Sequence, residues 1–307
     1  MAQIHAILYL NWKRLNDLTA AFLNTLLATT AVAVLGACSS IGTSIPPSDN
    51  GLPYAAAGRS LAGAEDTDVV AEGATFQAGN GPTIGGATIR VNSGFFAGAG
   101  ATSSLDGTIT IFGETVEIID GVGRLSTDEE VRLFYEPDRV GTYVAAVEAA
   151  VSDVTGGTIN GGGAYVFGFE TSPAVISDLG NGTITYSGNF QVYGSRGGSE
   201  VTDTEYDGAL TIIANFGSSV NVTLDGELAG VGSMDLSNGS IPMSRNGFSG
   251  ALNCGSGCFS SGSSISGTFY GPNAEEVGGV LSIDVNNAGG QTYDGVGTFI
   301  VVLPTSS

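Results

Sequence analysis

The sequence predicts an all-β fold: a C-terminal eight-stranded antiparallel β-barrel, soluble and not membrane-spanning, preceded by a smaller β domain. The first observation behind this is the two-residue period of TITYSGNFQVY (183–193). There Ile184, Tyr186, Gly188, Phe190 and Val192 alternate with Thr183, Thr185, Ser187, Asn189 and Gln191. Successive side chains of a strand point to opposite faces, so one face is buried and the other wet. The second observation is punctuation: 49 of 307 residues are glycine, recurring between β-rich runs without the three-residue period of collagen. The third is the number of strands. Candidates near 207–216, 220–228, 238–243, 246–253, 262–270, 279–285 and 295–302 bring the total to eight, the number that closes a barrel just filled by its own side chains. Alternation does not say which face points inward, and a lipid-facing pore-type barrel shows the same period. The choice of a soluble barrel rests on the N-terminus.

Residues 1–37 read as an export signal: Lys13 and Arg14, then the apolar run LTAAFLNTLLATTAVAVLGA (18–37), then Cys38. Leu35-Gly36-Ala37-Cys38 resembles a bacterial lipobox. In that reading the signal is cut before Cys38, and its thiol and new amino group carry acyl chains such as palmitate. The alternative is a plain transmembrane anchor, since the run is nearly long enough to span a bilayer. Small residues directly before a cysteine, and a polar stretch after it, favour the lipoprotein. Each buried methylene adds about 0.8 kcal/mol, so several chains on one cysteine fix the protein to a membrane, and a chain so anchored has little need to span one. Ser39, where an inner-membrane lipoprotein carries Asp, points to the outer membrane.

Residues 38–69 are rich in Ser, Gly, Pro and Ala without a helix or strand period, as in a flexible tether. Glu65, Asp66 and Asp68 within it read as a solvated charge run rather than a cation site. Residues 70–157 hold strand candidates at ATFQAG, ATIRVN, GTITIFGETVEII, EEVRLFYE and GTYVAAVEAAV. Phe112-Gly113-Glu114 reads as a hairpin tip. The last segment also fits a helix, with Val144, Val147 and Val151 three or four apart, and Gly141-Thr142-Tyr143 before it favours a strand. The Gly-rich run 156–169 reads as a joint, which places the barrel domain at 158–307. Near its end, in GTFYGPNAEEVGGVLSI (267–283), Pro272 and the Gly278–Gly279 doublet read as a turn between strands, with Glu275 and Glu276 solvated.

Composition narrows the chemistry. The only His (His5), Trp (Trp12) and Lys (Lys13) all lie in the signal. The mature chain thus lacks the parts for a Ser-His-Asp or Cys-His site, a Schiff base, or a His-ligated zinc or haem. No cofactor, no metal and no catalytic residue is expected. Carboxylate pairs remain for glycoside chemistry, but with so many acids some pair always looks suggestive. Of nine basic residues, removal of Lys13 and Arg14 leaves seven; of thirty acidic ones, removal of Asp17 leaves 29, a net charge of −22. That field repels nucleic acid and anionic lipid head groups. Asp203-Thr204-Glu205-Tyr206-Asp207-Gly208 imitates a calcium loop, but Ala214 stands where the loop needs a bidentate Glu. Cys254 and Cys258 bracket Gly-Ser-Gly and read as a disulfide across a hairpin tip in an oxidising compartment. A CxxxC metal site is the alternative, without further soft ligands.

GTFYGPNAEEVGGVLSI resembles the strand-turn-strand of the transferrin-binding protein B β-barrel domain: Gly-x-Phe-Tyr-Gly-Pro, an Ala-Glu-Glu turn, then Gly-Gly. FGFETSPA (167–174) followed by GTITYSGNFQVYG (182–194) is similar to the segment that opens these barrels. The resemblance covers roughly 165–302, and residues 70–157 then correspond to the smaller handle-type β domain. It implies a non-catalytic surface lipoprotein of the outer membrane that captures a protein or solute ligand, as in iron or nutrient acquisition. Transferrin-binding members carry two handle–barrel pairs and this chain has room for one, so transferrin itself is not implied. The alternative is a structural or assembly-accessory envelope lipoprotein without a soluble ligand. Function in small filled barrels sits on end loops, which nominates Ser195–Glu205, with Arg196, and the Cys254–Cys258 tip.

Overall fold

The computed structural model describes residues 67–77, 81–91, 107–154, 158–196, 204–228, 232–255, 258–260, 262–287, 290 and 292–304. The signal, Cys38 and nearly all of the tether lie outside them. Among the described residues no helix is long and apolar enough to cross a membrane. The described residues form two sheets and a hairpin.

The first sheet is antiparallel and has six strands: β1 (Thr67–Gln77), β2 (Gly81–Val91), β5 (Val122–Arg124), β6 (Glu130–Val140), β7 (Val144–Ser152) and β8 (Ile159–Gly168), in the order β2-β1-β8-β7-β6-β5. A separate hairpin, β3 (Gly107–Ile111) with β4 (Glu114–Ile118), turns at Phe112 and Gly113. Both tip residues have positive φ, 53° and 78°, the backbone of a two-residue turn whose twist matches its strands. Strand β7 is the segment whose valines also fitted a helix. Ala145, Val147, Ala149 and Val151 pack on Ile109, Ile111, Val116 and Ile118 of the hairpin. Val144 and Ala146 on its other face pack with Ala74, Phe76, Ala164 and Val166. A strand buried on both faces loses the alternating pattern, which is why three-residue spacing emerged by accident.

The Gly-rich run expected as a joint is strand β8, hydrogen-bonded between β1 and β7 in the first sheet, so this stretch is not barrel. Its glycines make room rather than turns. A Cβ at Gly162 would lie 2.7 Å from the Ala149 carbonyl oxygen, and one at Gly163 would lie 2.8 Å from Cζ of Tyr165. After β8 comes a short helix, α1 (Pro173–Asp178), capped by Ser172, whose hydroxyl accepts from the Val175 amide at 3.4 Å. The proline at its start lacks only an N–H that no helical partner would use.

The second sheet closes on itself. Its strands are β9 (Thr183–Arg196), β10 (Thr204–Asn215), β11 (Ser219–Leu228), β12 (Gly232–Ser244), β13 (Gly247–Ala251) continued by β14 (Asn253–Cys254), β15 (Cys258–Ser260) continued by β16 (Ser264–Tyr270), β17 (Glu276–Asn287) and β18 (Thr292–Val302). Each pairs antiparallel with the next, and β18 returns to β9, giving a closed eight-stranded barrel. The strands fall where the two-residue period placed them. The open question of facing is answered by burial. On β11, Val220, Val222, Leu224 and Leu228 are buried inside, while Thr223, Asp225 and Glu227 are exposed. Apolar inside and polar outside is the reverse of a lipid-facing wall.

One stretch of wall is covered. The outward row of β17, Glu276, Gly278, Val280, Ser282 and Asp284, stands opposite Val302, Ile300, Thr298, Val296 and Asp294 of β18. Val280 and Val296 pack against the Ala74–Phe76–Val144–Val166 face of the six-stranded sheet, and Thr298 Oγ1 donates to Glu148 Oε1 at 3.3 Å. We call this contact the seam. The Gly278–Gly279 doublet, expected where a turn gives way to a strand at 279, lies well within β17. A Cβ at Gly278 would come within 2.6 Å of Val144 Cγ2 outside, and one at Gly279 within 2.6 Å of the Phe299 ring inside. Each absent side chain lets a neighbour approach: the first sheet on one face, a core aromatic on the other.

Candidate functional site

The barrel interior is filled. Phe190, Phe216, Phe269, Phe299, Tyr186, Tyr206 and Tyr293 are all buried within it. Phe269 sits at the hub, with ring centroids 5.2 Å from Phe216, 5.8 Å from Tyr186 and 6.1 Å from Phe248. Each buried phenol finds an acceptor: Tyr186 donates to the Ala274 carbonyl at 2.6 Å, Tyr206 to Met234 at 2.7 Å, and Tyr293 to Val192 at 3.1 Å. Burial raises the pKa of Tyr186 and Tyr206, and the acids nearby add to it. These rings are packing.

The two ends of the barrel differ. One is plugged by α1, whose Ile176 enters the core, and by the turn after β16, whose Ala274 is fully buried at a φ of 58°. Behind the plug Asn246 Nδ2 donates to Glu170 Oε2 at 2.9 Å and to the Thr171 carbonyl at 3.0 Å, while Thr171 Oγ1 donates to the Gly271 carbonyl at 2.7 Å.

At the opposite end the strand ends that flank the two nominated loops share one rim. Arg196 ends β9 opposite Tyr293, Glu205 pairs with Tyr193, and Cys254 and Cys258 stand at their strand ends opposite Leu236 and Asn287. Residues 197–203 and 256–257 lie outside the described residues. The cysteines do not face each other across a ladder, as a hairpin tip would require. Pairing between β13 and β16 stops at Ala251–Ser264, with one more bond from the Leu252 amide to the Ser263 carbonyl. Beyond it β14 follows β12 and β15 follows β17. Among the described residues no ladder pair joins β14 to β15, although the two strands are in contact.

Below this rim the outer wall is acidic. Asp207 stands opposite Glu227, and Asp225 opposite Asp235, all four exposed. Like charges directly opposite cost stability, so this face contributes solubility at some expense to the fold.

Glu276, expected to be solvated, is buried. Its carboxylate accepts backbone N–H bonds from Thr142 at 2.6 Å, Tyr143 at 2.9 Å and Val144 at 3.2 Å. It therefore clasps the turn between β6 and β7 to the first residue of β17. Burial pushes its pKa up and the three N–H groups pull it part of the way back. Glu275 does a local job, accepting from the Asn273 amide and side chain, each at 2.8 Å. Sequence gave no sign of the clasp, because its partners lie more than a hundred residues away. Among the described residues no group of three or more His, Cys, Asp or Glu could hold a metal.

The model describing the C-lobe and N-lobe beta barrels of Tf-binding protein B matches residues 180–300, from just before β9 to within β18. Similar solved structures include a mutant of transferrin binding protein B from Haemophilus parasuis Hp5, at 16% identity and a TM-score of 0.45, over 80% of this chain and 47% of that one. Another is the isotype 1 protein from serogroup B Neisseria meningitidis, at 13% identity and a TM-score of 0.40, over 78% of this chain and 44% of that one. The chain thus spans less than half the length of these structures. No curated protein matches. Taken with the closed eight-stranded ring, the matched segment makes residues 180–300 a β-barrel domain like those of transferrin-binding protein B.

Proposed function

We propose that the chain is an outer-membrane lipoprotein, acylated at Cys38, that captures a protein or solute ligand without catalysis at the loop end of its barrel. The observation that supports this reading is the asymmetry of the barrel: a filled interior and a plugged end leave the rim as the place where sequence can vary without disturbing the core. The six-stranded sheet takes the part of the handle, bracing the barrel through the seam. We assign Cys254 and Cys258 as a disulfide that joins the ends of β14 and β15 at the rim. The bonded state of Cys254 and the place of both cysteines at strand ends of one rim support this pairing. The buried carboxylates, Glu170 and Glu276, accept from Asn246 and from the turn between β6 and β7, a structural use that favours binding over hydrolysis.

Two experiments test this. Cys38→Ala is expected to move the protein from the membrane to the soluble fraction, and unchanged membrane retention would sink the anchor. Transferrin is the first ligand to try, since the solved relatives are named for binding it. It is titrated onto the immobilised full chain, with residues 197–203 replaced by two glycines as the comparison. Saturable binding that weakens at least tenfold with the short loop supports capture at the rim. Saturable binding indifferent to the loop moves the site, and no binding removes transferrin from the ligand class.

A further inference from the structure

Six asparagines of the chain are followed by glycine, at 50, 80, 160, 181, 238 and 246. Asn50 and Asn80 lie outside the described residues. An Asn-Gly step carries a latent reaction, because glycine has no side chain to keep its backbone nitrogen away from the amide carbon of the asparagine before it. How firmly each side chain and its glycine are held decides whether the two atoms meet.

Three of the four described steps are held. Asn160 Nδ2 donates to Glu129 Oε1 at 2.7 Å, and Gly161 is in the ladder opposite Val151. Asn238 is fixed at both amide atoms: Nδ2 donates to the Ala251 carbonyl at 2.7 Å, and Oδ1 accepts from the Ser240 amide at 2.8 Å. Asn246 is buried behind the plug with its bonds to Glu170 and Thr171. Asn181 differs from all three. It is exposed, as is Gly182, in the turn between α1 and β9. Its side chain makes no hydrogen bond among the described residues. Gly182 lies just outside the β9 ladder, which opens at Thr183–Asn215, and its amide makes one bond, to the Leu179 carbonyl at 3.2 Å.

We propose that the fold singles out Asn181 as a site of spontaneous modification, at which the side-chain amide is lost through a ring formed with Gly182. The Gly182 nitrogen gives its proton to a base in solution and attacks Cγ of Asn181. The N–Cγ bond forms, the Cγ–Nδ2 bond breaks, and Nδ2 takes up a proton and leaves as ammonia. Water then opens the five-membered imide. Opening at Cγ gives aspartate, and opening at the backbone carbonyl gives isoaspartate, with the chain running through the former side chain. Either product adds a negative charge. Isoaspartate also lengthens the backbone between the plug helix and β9, beside the point where the Gly182 carbonyl accepts from the Phe216 amide at 3.0 Å.

The test ages the full chain at pH 8, in buffer and in urea, and locates the replacement of NH2 by OH with fragment-ion mass spectrometry. In buffer Asn181 is expected to convert about tenfold faster than Asn160, Asn238 or Asn246, the factor imposed by one hydrogen bond that must break first. In urea, where those bonds are gone, the four sites are expected to convert at similar rates. Gly182→Ala, which leaves the asparagine exposed but hinders the attacking nitrogen, is expected to slow conversion at 181 and to leave the other three rates unchanged. Equal rates at the four sites in buffer would overturn the proposal, as would an Asn181 that converts only in urea. A preference for Asn181 that persists undiminished in urea would overturn it too, because the fold would not be its cause. If Gly182→Ala fails to fold, the wild-type rates in buffer and urea decide.

Discussion

Glu276→Ala is expected to destabilise the protein by about 3 kcal/mol, the order of cost for leaving buried backbone donors without an acceptor. The three amides of Thr142, Tyr143 and Val144 converge on one carboxylate, and no small side chain at 276 reaches them. Some cost is recovered, because the wild-type carboxylate is itself desolvated, so the loss stays below the sum for three separate groups. Glu276→Gln keeps one acceptor oxygen but turns an amide NH2 towards N–H donors, and a smaller loss is expected. The measurements are the urea midpoint and hydrogen exchange at residues 142–144, which should lose protection before the interior of the barrel does. Unchanged protection there in Glu276→Ala would show that the clasp contributes nothing.

The second large effect lies in the barrel core. Phe269 is fully buried and its ring meets those of Tyr186, Phe216 and Phe248. Phe269→Ala removes the hub, and its neighbours hang from hydrogen-bonded strands that cannot collapse inward to fill the space. A loss of about 3–5 kcal/mol is expected, together with weaker near-ultraviolet aromatic dichroism. Phe269→Leu, which restores most of the volume, is expected to cost well under half as much. A loss below 1 kcal/mol for the alanine variant would mean that the interior is not packed as described.

How far these features could be read beforehand depended on range. Periodicity is local, and the barrel strands announce themselves through it: Ile184, Tyr186, Phe190 and Val192 occupy the inner row as their spacing predicts. The glycines misled wherever their role is spatial. Gly162, Gly163, Gly278 and Gly279 read as punctuation, yet each lies inside a strand and clears space for atoms brought from elsewhere in the chain. Glu276 looked like half of a solvated acidic turn for the same reason, since only the docking of the first sheet supplies its donors. Cys254 and Cys258 lie close in sequence, while the strands that hold their ends, β12 and β17, come from elsewhere in the chain.

The pairing of β18 with β9 governs how the molecule can be made. The last barrel strand to be synthesised is the partner of the first, so throughout chain elongation β9 and β17 each present a raw edge able to recruit foreign strands. The valines of β17 and the matching face of the earlier sheet have nothing complete to dock against until that strand arrives. Ring closure, docking and the clasp thus mature together and late, a topology rich in distant contacts and correspondingly slow to fold. Loss of the final strand would leave an open curl with two sticky margins, and its penalty would be counted in aggregation as much as in equilibrium stability.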